Sequence, residues 1–99
     1  MVVTCNRIYV NPAYAEPFEE RFRSRAGLVE TMPGFVSFQL LRPTKEGDPY
    51  VAMTHWDSMA QFQAWVNSEE FKQGHARSGT LPADAYPQHP QLEVFEVAL

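Results

Sequence analysis

The hydrophobic period of this chain switches from two to about 3.6 and back, twice, and that alternation bounds the fold more tightly than its composition does. In "VVTCNRIYV" (2–10), Val2, Thr4, Asn6, Ile8 and Val10 fall on one side and Val3, Cys5, Arg7 and Tyr9 on the other, which predicts a strand. Asn11-Pro12 breaks it. "AEPFEERFRSRAGLVETM" then carries Phe18, Phe22, Arg25 and Val29 on one helical stripe, with Pro17 suited to a first turn and Glu19 four residues before Arg23. Pro33-Gly34 is the predicted stop.

The next run, "GFVSFQLLRP", alternates Val36, Phe38 and Leu40 against Phe35, Ser37, Gln39 and Leu41, and the turn-rich "PTKEGDP" joins it to "YVAMTHW". In that second strand Tyr50, Ala52, Thr54 and Trp56 share one face, read as core, and Val51, Met53 and His55 the other. Ser58 with Gln61 three residues on reads as a capping box that opens a helix through Phe62, Trp65 and Val66. Ser68 suits the cap of a second short helical piece ending near Gly79, weakened by Gly74. "TLPADAYPQHPQ" holds three prolines, the composition of a wrapping or lid segment, and "LEVFEVAL" closes the chain as a strand.

The order is βαββαβ, so the expected class is α+β: a ferredoxin-like four-stranded antiparallel sheet with both helices on one face, forming a single domain over residues 1–99. The other sheet face, with Tyr9, Phe35 and Leu41, is apolar. A second copy is expected to cover it, giving a sheet-to-sheet homodimer and a dimeric α/β barrel.

Composition removes several function classes. The formal charge is -4 and the eight Lys and Arg residues are scattered among acidic ones, leaving no basic stripe for a nucleic-acid backbone. No apolar run is long enough to span a bilayer. A single cysteine, Cys5, and an N-terminus without signal-peptide character point to a reducing cytoplasm. There is no phosphate loop, no CxxC pair, no HxxxH zinc pattern and no helpful Ser-His-Asp order.

The residues that remain for chemistry are Asn6, His55, Trp65 and His75, with Cys5 and His89 behind them. Asn6 sits mid-strand, where its amide needs a partner: either an edge or water contact satisfies it, or it is a donor aimed into a cavity. His75, in the last turn of a helix, either complements the helix dipole, worth about 0.3–1 kcal/mol, or serves as an imidazole ligand such as haem iron takes. Trp65 stands ten residues earlier, about 80° away on an unbroken helix, so the two side chains suit neighbouring walls of one pocket. Trp65 on its own reads first as core. His55 reads as a strand-end histidine or else a pocket wall, His89 as solvent-exposed, and Cys5 as a small core hydrophobe.

Taken together, the strand-1 asparagine, the helix-2 tryptophan and the histidine ten residues on resemble the IsdG-type haem-degrading monooxygenases. These belong to the antibiotic biosynthesis monooxygenase (ABM) superfamily of dimeric ferredoxin-like proteins. "NRIYV", "RFRSRAGLVETMPGFVSFQLLRP", "THWDSMAQFQAWVNSEEF" and "LEVFEVAL" carry the likeness along most of the chain, and the middle stretches resemble the mycobacterial branch. The resemblance implies that haem is both cofactor and substrate, opened with O2 and electrons from an external donor to release iron. It implies His75 as the proximal iron ligand, Asn6 as a distal hydrogen-bond donor, and Trp65 as the bulk that buckles the ring. Phe22 and Arg25 would line the pocket, Arg25 facing a propionate. Gly74 would give clearance beside the porphyrin.

Two other readings fit the same fold. One is a cofactor-independent ABM-type oxygenase on a quinol or polyphenol, where His75 and Asn6 handle protons or a carbonyl. The other is a non-catalytic haem carrier. The complete Asn6, Trp65, His75 set favours the haem oxygenase over the cofactor-independent oxygenase and does not separate turnover from carriage.

Overall fold

Four strands alternate with two helices as the periodicity predicts. The computed structural model describes residues 1–25, 28–72 and 81–99. Strand β1 (Val2–Ile8) lies inside the sheet between β3 (Tyr50–Trp56) and β4 (Gln91–Glu96), with β2 (Phe35–Leu41) on the far edge beyond β3. All three pairings are antiparallel, and the order β2-β3-β1-β4 is that of the ferredoxin-like fold. Strands from both ends of the chain therefore share one sheet.

The β1–β3 register sets Val2 opposite Trp56, Thr4 opposite Thr54, Asn6 opposite Ala52 and Ile8 opposite Tyr50. These residues make the helix-facing side. Val2, Thr4, Ile8, Tyr50 and Trp56 are buried there. Thr4 satisfies its buried hydroxyl against the Thr54 hydroxyl, and Trp56 Nε1 donates to Thr54 Oγ1 at 3.0 Å.

Helix α1 (Ala15–Arg25) follows a 3-10 turn at Pro12–Tyr14, in which Asn11 Oδ1 accepts from the Ala13 amide. It drives Phe18 into the core, where the ring meets Tyr50 at 4.8 Å and Phe22 at 5.1 Å between centroids. The predicted helix ran on to Met32. The structure instead ends α1 at Arg25 and makes a separate 3-10 turn at Val29–Thr31.

Gly34 links this turn to β2 at φ 82°, a left-handed conformation that glycine adopts freely. A Cβ there would sit 2.1 Å from the Gln61 carboxamide, and the Gly34 carbonyl accepts from the Asp57 amide at 2.8 Å. Pro33-Gly34 is thus the point where the start of β2 is pressed against the start of α2 (Met59–Val66). The N-cap half of the capping box forms: Ser58 Oγ accepts from the Gln61 amide, while Gln61 Oε1 accepts from the Ser58 hydroxyl in place of the Ser58 backbone N–H. Ser68 Oγ accepts from the Phe71 amide at 3.1 Å, starting the helical residues 69–72; the predicted end near Gly79 lies outside the described residues.

Phe35 corrects one expectation. The β2–β3 register shifts between Phe35 and Ser37, a bulge that returns Phe35 to the Trp56 side, rings 5.7 Å apart edge to face. It therefore leaves the outer face, on which Ser37, Gln39 and Leu41 remain opposite His55, Met53 and Val51. Cys5 is also on that outer face, half-buried opposite Met53.

The proline-rich segment wraps. A 3-10 turn at Ala83–Ala85 buries Ala85 completely, and the Ala85 carbonyl accepts from the Asn11 amide at 2.8 Å. Tyr14 Oη donates to Asp84, Arg21 Nη1 donates to Tyr86 Oη at 2.5 Å, and Leu81 and Tyr86 pack on the Ile8, Phe18, Tyr50 core. Among the described residues no helix is long and apolar enough to cross a membrane.

Candidate functional site

Asn6 is brought to the middle of the helix-facing surface by strand alternation, between Thr4 and Ile8. Across the sheet its neighbours are Ala52 on β3 and Leu92 on β4, both apolar. The amide is half-buried and makes no hydrogen bond to another described residue. The amide still reaches solvent, which leaves its donor open to a ligand.

Trp65 hangs from the last turn of α2. Its ring stacks on Trp56 at 6.5 Å between centroids with planes inclined 29°, and Phe71 meets it edge-on at 5.3 Å. It is half-buried, so one part of the ring is anchored and another is open. Phe22 projects from α1 and stacks on Phe38 of β2 at 6.0 Å with planes 14° apart. Phe38 is 36 % exposed although it lies on the helix side, and Leu92 and Val94 on β4 are 58 % and 36 % exposed on the same side. Among the described residues, aromatic and aliphatic surface is therefore left bare around an amide that none of them pairs.

Of the five residues singled out in the sequence, Asn6, Phe22 and Trp65 all belong to the helix side of the sheet. Arg25 closes α1, but its side chain lies outside the described residues, as do His75 and Gly74. Two concavities elsewhere do not involve them. One, of 370 Å³, is lined by the wrapping segment, including Tyr86 and His89; the other, of 460 Å³, lies beside Met1, Ser58 and Phe95. His55 is on the outer face, half-buried, with Nδ1 3.1 Å from Ser37 Oγ, away from Asn6.

Charge is concentrated at a different place. Glu19 on α1 accepts from Arg42 Nε and Nη2 at 2.8 and 2.6 Å and from Tyr50 Oη at 2.6 Å. The Arg42 and Tyr50 hydrogen bonds hold its carboxyl down to about 2. Burial, then the Glu19 contact, pushes the Tyr50 phenol up. These groups are saturated with one another and tie α1 to β3 and the end of β2. They are a fastening, and nothing in the sequence pairs residues so far apart. Among the described residues no cluster of His, Cys, Asp and Glu is arranged to hold a metal ion.

Comparison with known proteins gives the site its context. Residues 1–77 match the antibiotic biosynthesis monooxygenase family. The chain is 54% identical over 67 residues to a heme oxygenase (mycobilin-producing) of Mycobacterium tuberculosis, a stretch covering 67% of this chain and 63% of that protein. The match thus spans less than two thirds of the mycobacterial relative's length. A heme-degrading monooxygenase of Bacillus cereus is 32% identical over 84 residues, covering 83% of this chain and 78% of that one. In three dimensions the chain resembles the heme-degrader MhuD of Mycobacterium tuberculosis, solved with two hemes in its active site: TM-score 0.79, 39% identity, with 100% and 97% of the two chains covered.

Proposed function

We propose that this chain, which belongs to the antibiotic biosynthesis monooxygenase family, binds haem as cofactor and substrate and opens its ring with O2 and externally supplied electrons, releasing iron. The observation that carries the reading is the Asn6 amide, half-buried without a hydrogen-bonding partner among the described residues and surrounded by bare apolar and aromatic surface. A flat, largely apolar macrocycle with one polar centre fits that surface: Phe22, Phe38, Leu92 and Val94 offer it apolar contact, and Asn6 offers one donor. The similarity to heme-degrading enzymes supports the same ligand.

His75 is proposed as the iron ligand and Arg25 as a propionate partner; both proposals rest on the sequence. When bound, haem supplies the redox chemistry through its iron. Asn6 donates a hydrogen bond from an amide that does not titrate, so it orients without delivering a proton. Trp65, backed by Trp56, would offer a fixed bulky ring against the bound macrocycle. Phe22 and Phe38 exclude water from one side.

The reading takes residues 1–99 as one domain acting in the cytoplasm as a homodimer. The outer sheet face supports the dimer, with Leu41 and Phe95 bare beside half-buried Val3, Val51 and Met53. The test is to add hemin to purified protein and then ascorbate in air. A shifted Soret band that decays under ascorbate, with iron released to a chelator, is expected. No shift at stoichiometric hemin would sink the reading, and a shifted band that persists under reductant would leave a carrier.

A further inference from the structure

We propose that Leu92, with Val94 beside it, is an orienting contact for haem, a shelf on β4 that decides how the ring sits over Asn6. The proposal rests on the haem reading above. Leu92, Val94 and Glu96 pair with Asn6, Thr4 and Val2 and so face the helices, while Gln91, Glu93 and Phe95 face outward. The two sides of Asn6 are unequal: β3 presents the single methyl of Ala52 and β4 the branched side chain of Leu92.

Among the described residues the helices leave this shelf bare. The ring contacts of α1 and α2 run to β2 and β3, with Phe18 on Tyr50, Phe22 on Phe38, and Phe62 and Trp65 on Trp56. Leu92 is correspondingly the most exposed apolar side chain within the strands. Neighbouring strands lie about 4.8 Å apart, and a porphyrin is broader than that spacing. A ring whose distal side meets Asn6 therefore also overlies an adjacent strand. On the β4 side it covers an exposed leucine, removing apolar surface from water; on the β3 side Ala52 is already packed against the Ile8, Phe18, Tyr50 core and offers little. Such unequal walls favour one rotation of the ring about the iron over the others.

Leu92→Ala and Leu92→Glu test this in the full chain. Because Leu92 is exposed, both variants are expected to melt as the wild-type apoprotein does. Hemin titration followed by the Soret band should show Kd raised about tenfold for Leu92→Ala, and more for Leu92→Glu. The Soret circular dichroism, which reads ring orientation, should change shape in Leu92→Ala at saturating hemin. Wild-type Kd and an unchanged dichroic band in both variants would overturn the proposal. If Leu92→Glu halved the molecular mass in solution while hemin binding stayed at wild type, the shelf would belong to a second copy and the proposal would also fall. Failure of the wild-type chain to bind hemin would be seen before any variant was made, and would remove the haem reading with it.

Discussion

Trp65 stacks on Trp56 with ring centroids 6.5 Å apart, and the lower of the two rings is fully buried. Trp56 is held in turn by its bond to Thr54 and by the edges of Phe35 and Phe62. A base pinned on three sides gives Trp65 a fixed position without burying it. The two tryptophans should then differ in what their loss costs. Trp56→Ala is expected to remove about 3–5 kcal/mol of stability in urea unfolding, enough to threaten a domain of this size. Trp65→Ala should cost clearly less, about 1–3 kcal/mol given its half-burial, yet alter the spectrum of bound haem. Equal losses would make Trp65 ordinary core.

Asn6 lends itself to the opposite experiment. Since its amide has no partner among the described residues, replacing it with Val breaks no hydrogen bond there and adds a β-branched side chain to a central strand between apolar neighbours. Asn6→Val should stabilise the haem-free chain by about 0.5–1 kcal/mol while reducing haem turnover at least tenfold. Thermal melting and ascorbate-driven Soret decay on the same preparation check both halves. A destabilised Asn6→Val would show that the amide is satisfied in solution, contradicting its role as a waiting donor.

Glu19 ties stability to acid pH. Its folded carboxyl is held at about 2, chiefly by Arg42 and then Tyr50, below the ordinary glutamate range near 4.3. Between those values the unfolded chain binds the extra proton and the folded one does not, so the contribution is full above about pH 5 and is lost as pH falls toward 2. Glu19→Gln should therefore lower stability at pH 7 and flatten its decline between pH 5 and 2, as measured by urea midpoints across that range. A Gln variant with the wild-type slope would place the acid sensitivity elsewhere.

What the sequence makes legible here is what is encoded locally. Ser58 and Gln61 are three residues apart and the N-cap bond follows from them alone; Trp56, Tyr50, Ala52 and Thr54 share a face because a strand alternates. The bulge after Phe35 is set by how β2 meets β3, so simple alternation sent that ring to the wrong side. The Glu19, Arg42, Tyr50 fastening joins residues 23 and 31 positions apart, a distance that no pattern rule spans. Prolines marked residues 80 to 91 as irregular, but the docking of Ala85 and Tyr86 against α1 depends on the finished core. Asn6 was legible as an anomaly in its strand, whereas Leu92 was not, because its exposure arises only once the helices settle over β2 and β3.

The outer face makes the last prediction. Met53 lies at its centre, opposite Cys5 on β1 and Gln39 on β2, with Arg7 and Glu93 paired at 2.6 Å toward one end. A second copy laid on this face would bury Met53 and Cys5, so Met53→Glu places an unpaired charge in a dry interface. Sedimentation should find the wild-type chain at twice its 11.3 kDa mass and Met53→Glu at the monomer mass. Burial first, and then Glu93, already pushes the Cys5 thiol up, so alkylation at pH 8 should be slow. It should be slower still in the dimer; at a pH high enough to ionise the thiol in both proteins, so that the added carboxylate beside Cys5 does not decide the rate, Met53→Glu should be alkylated faster. A wild-type chain that sediments as a monomer, with Cys5 alkylated at the same rate in both proteins, would leave this face without a second copy.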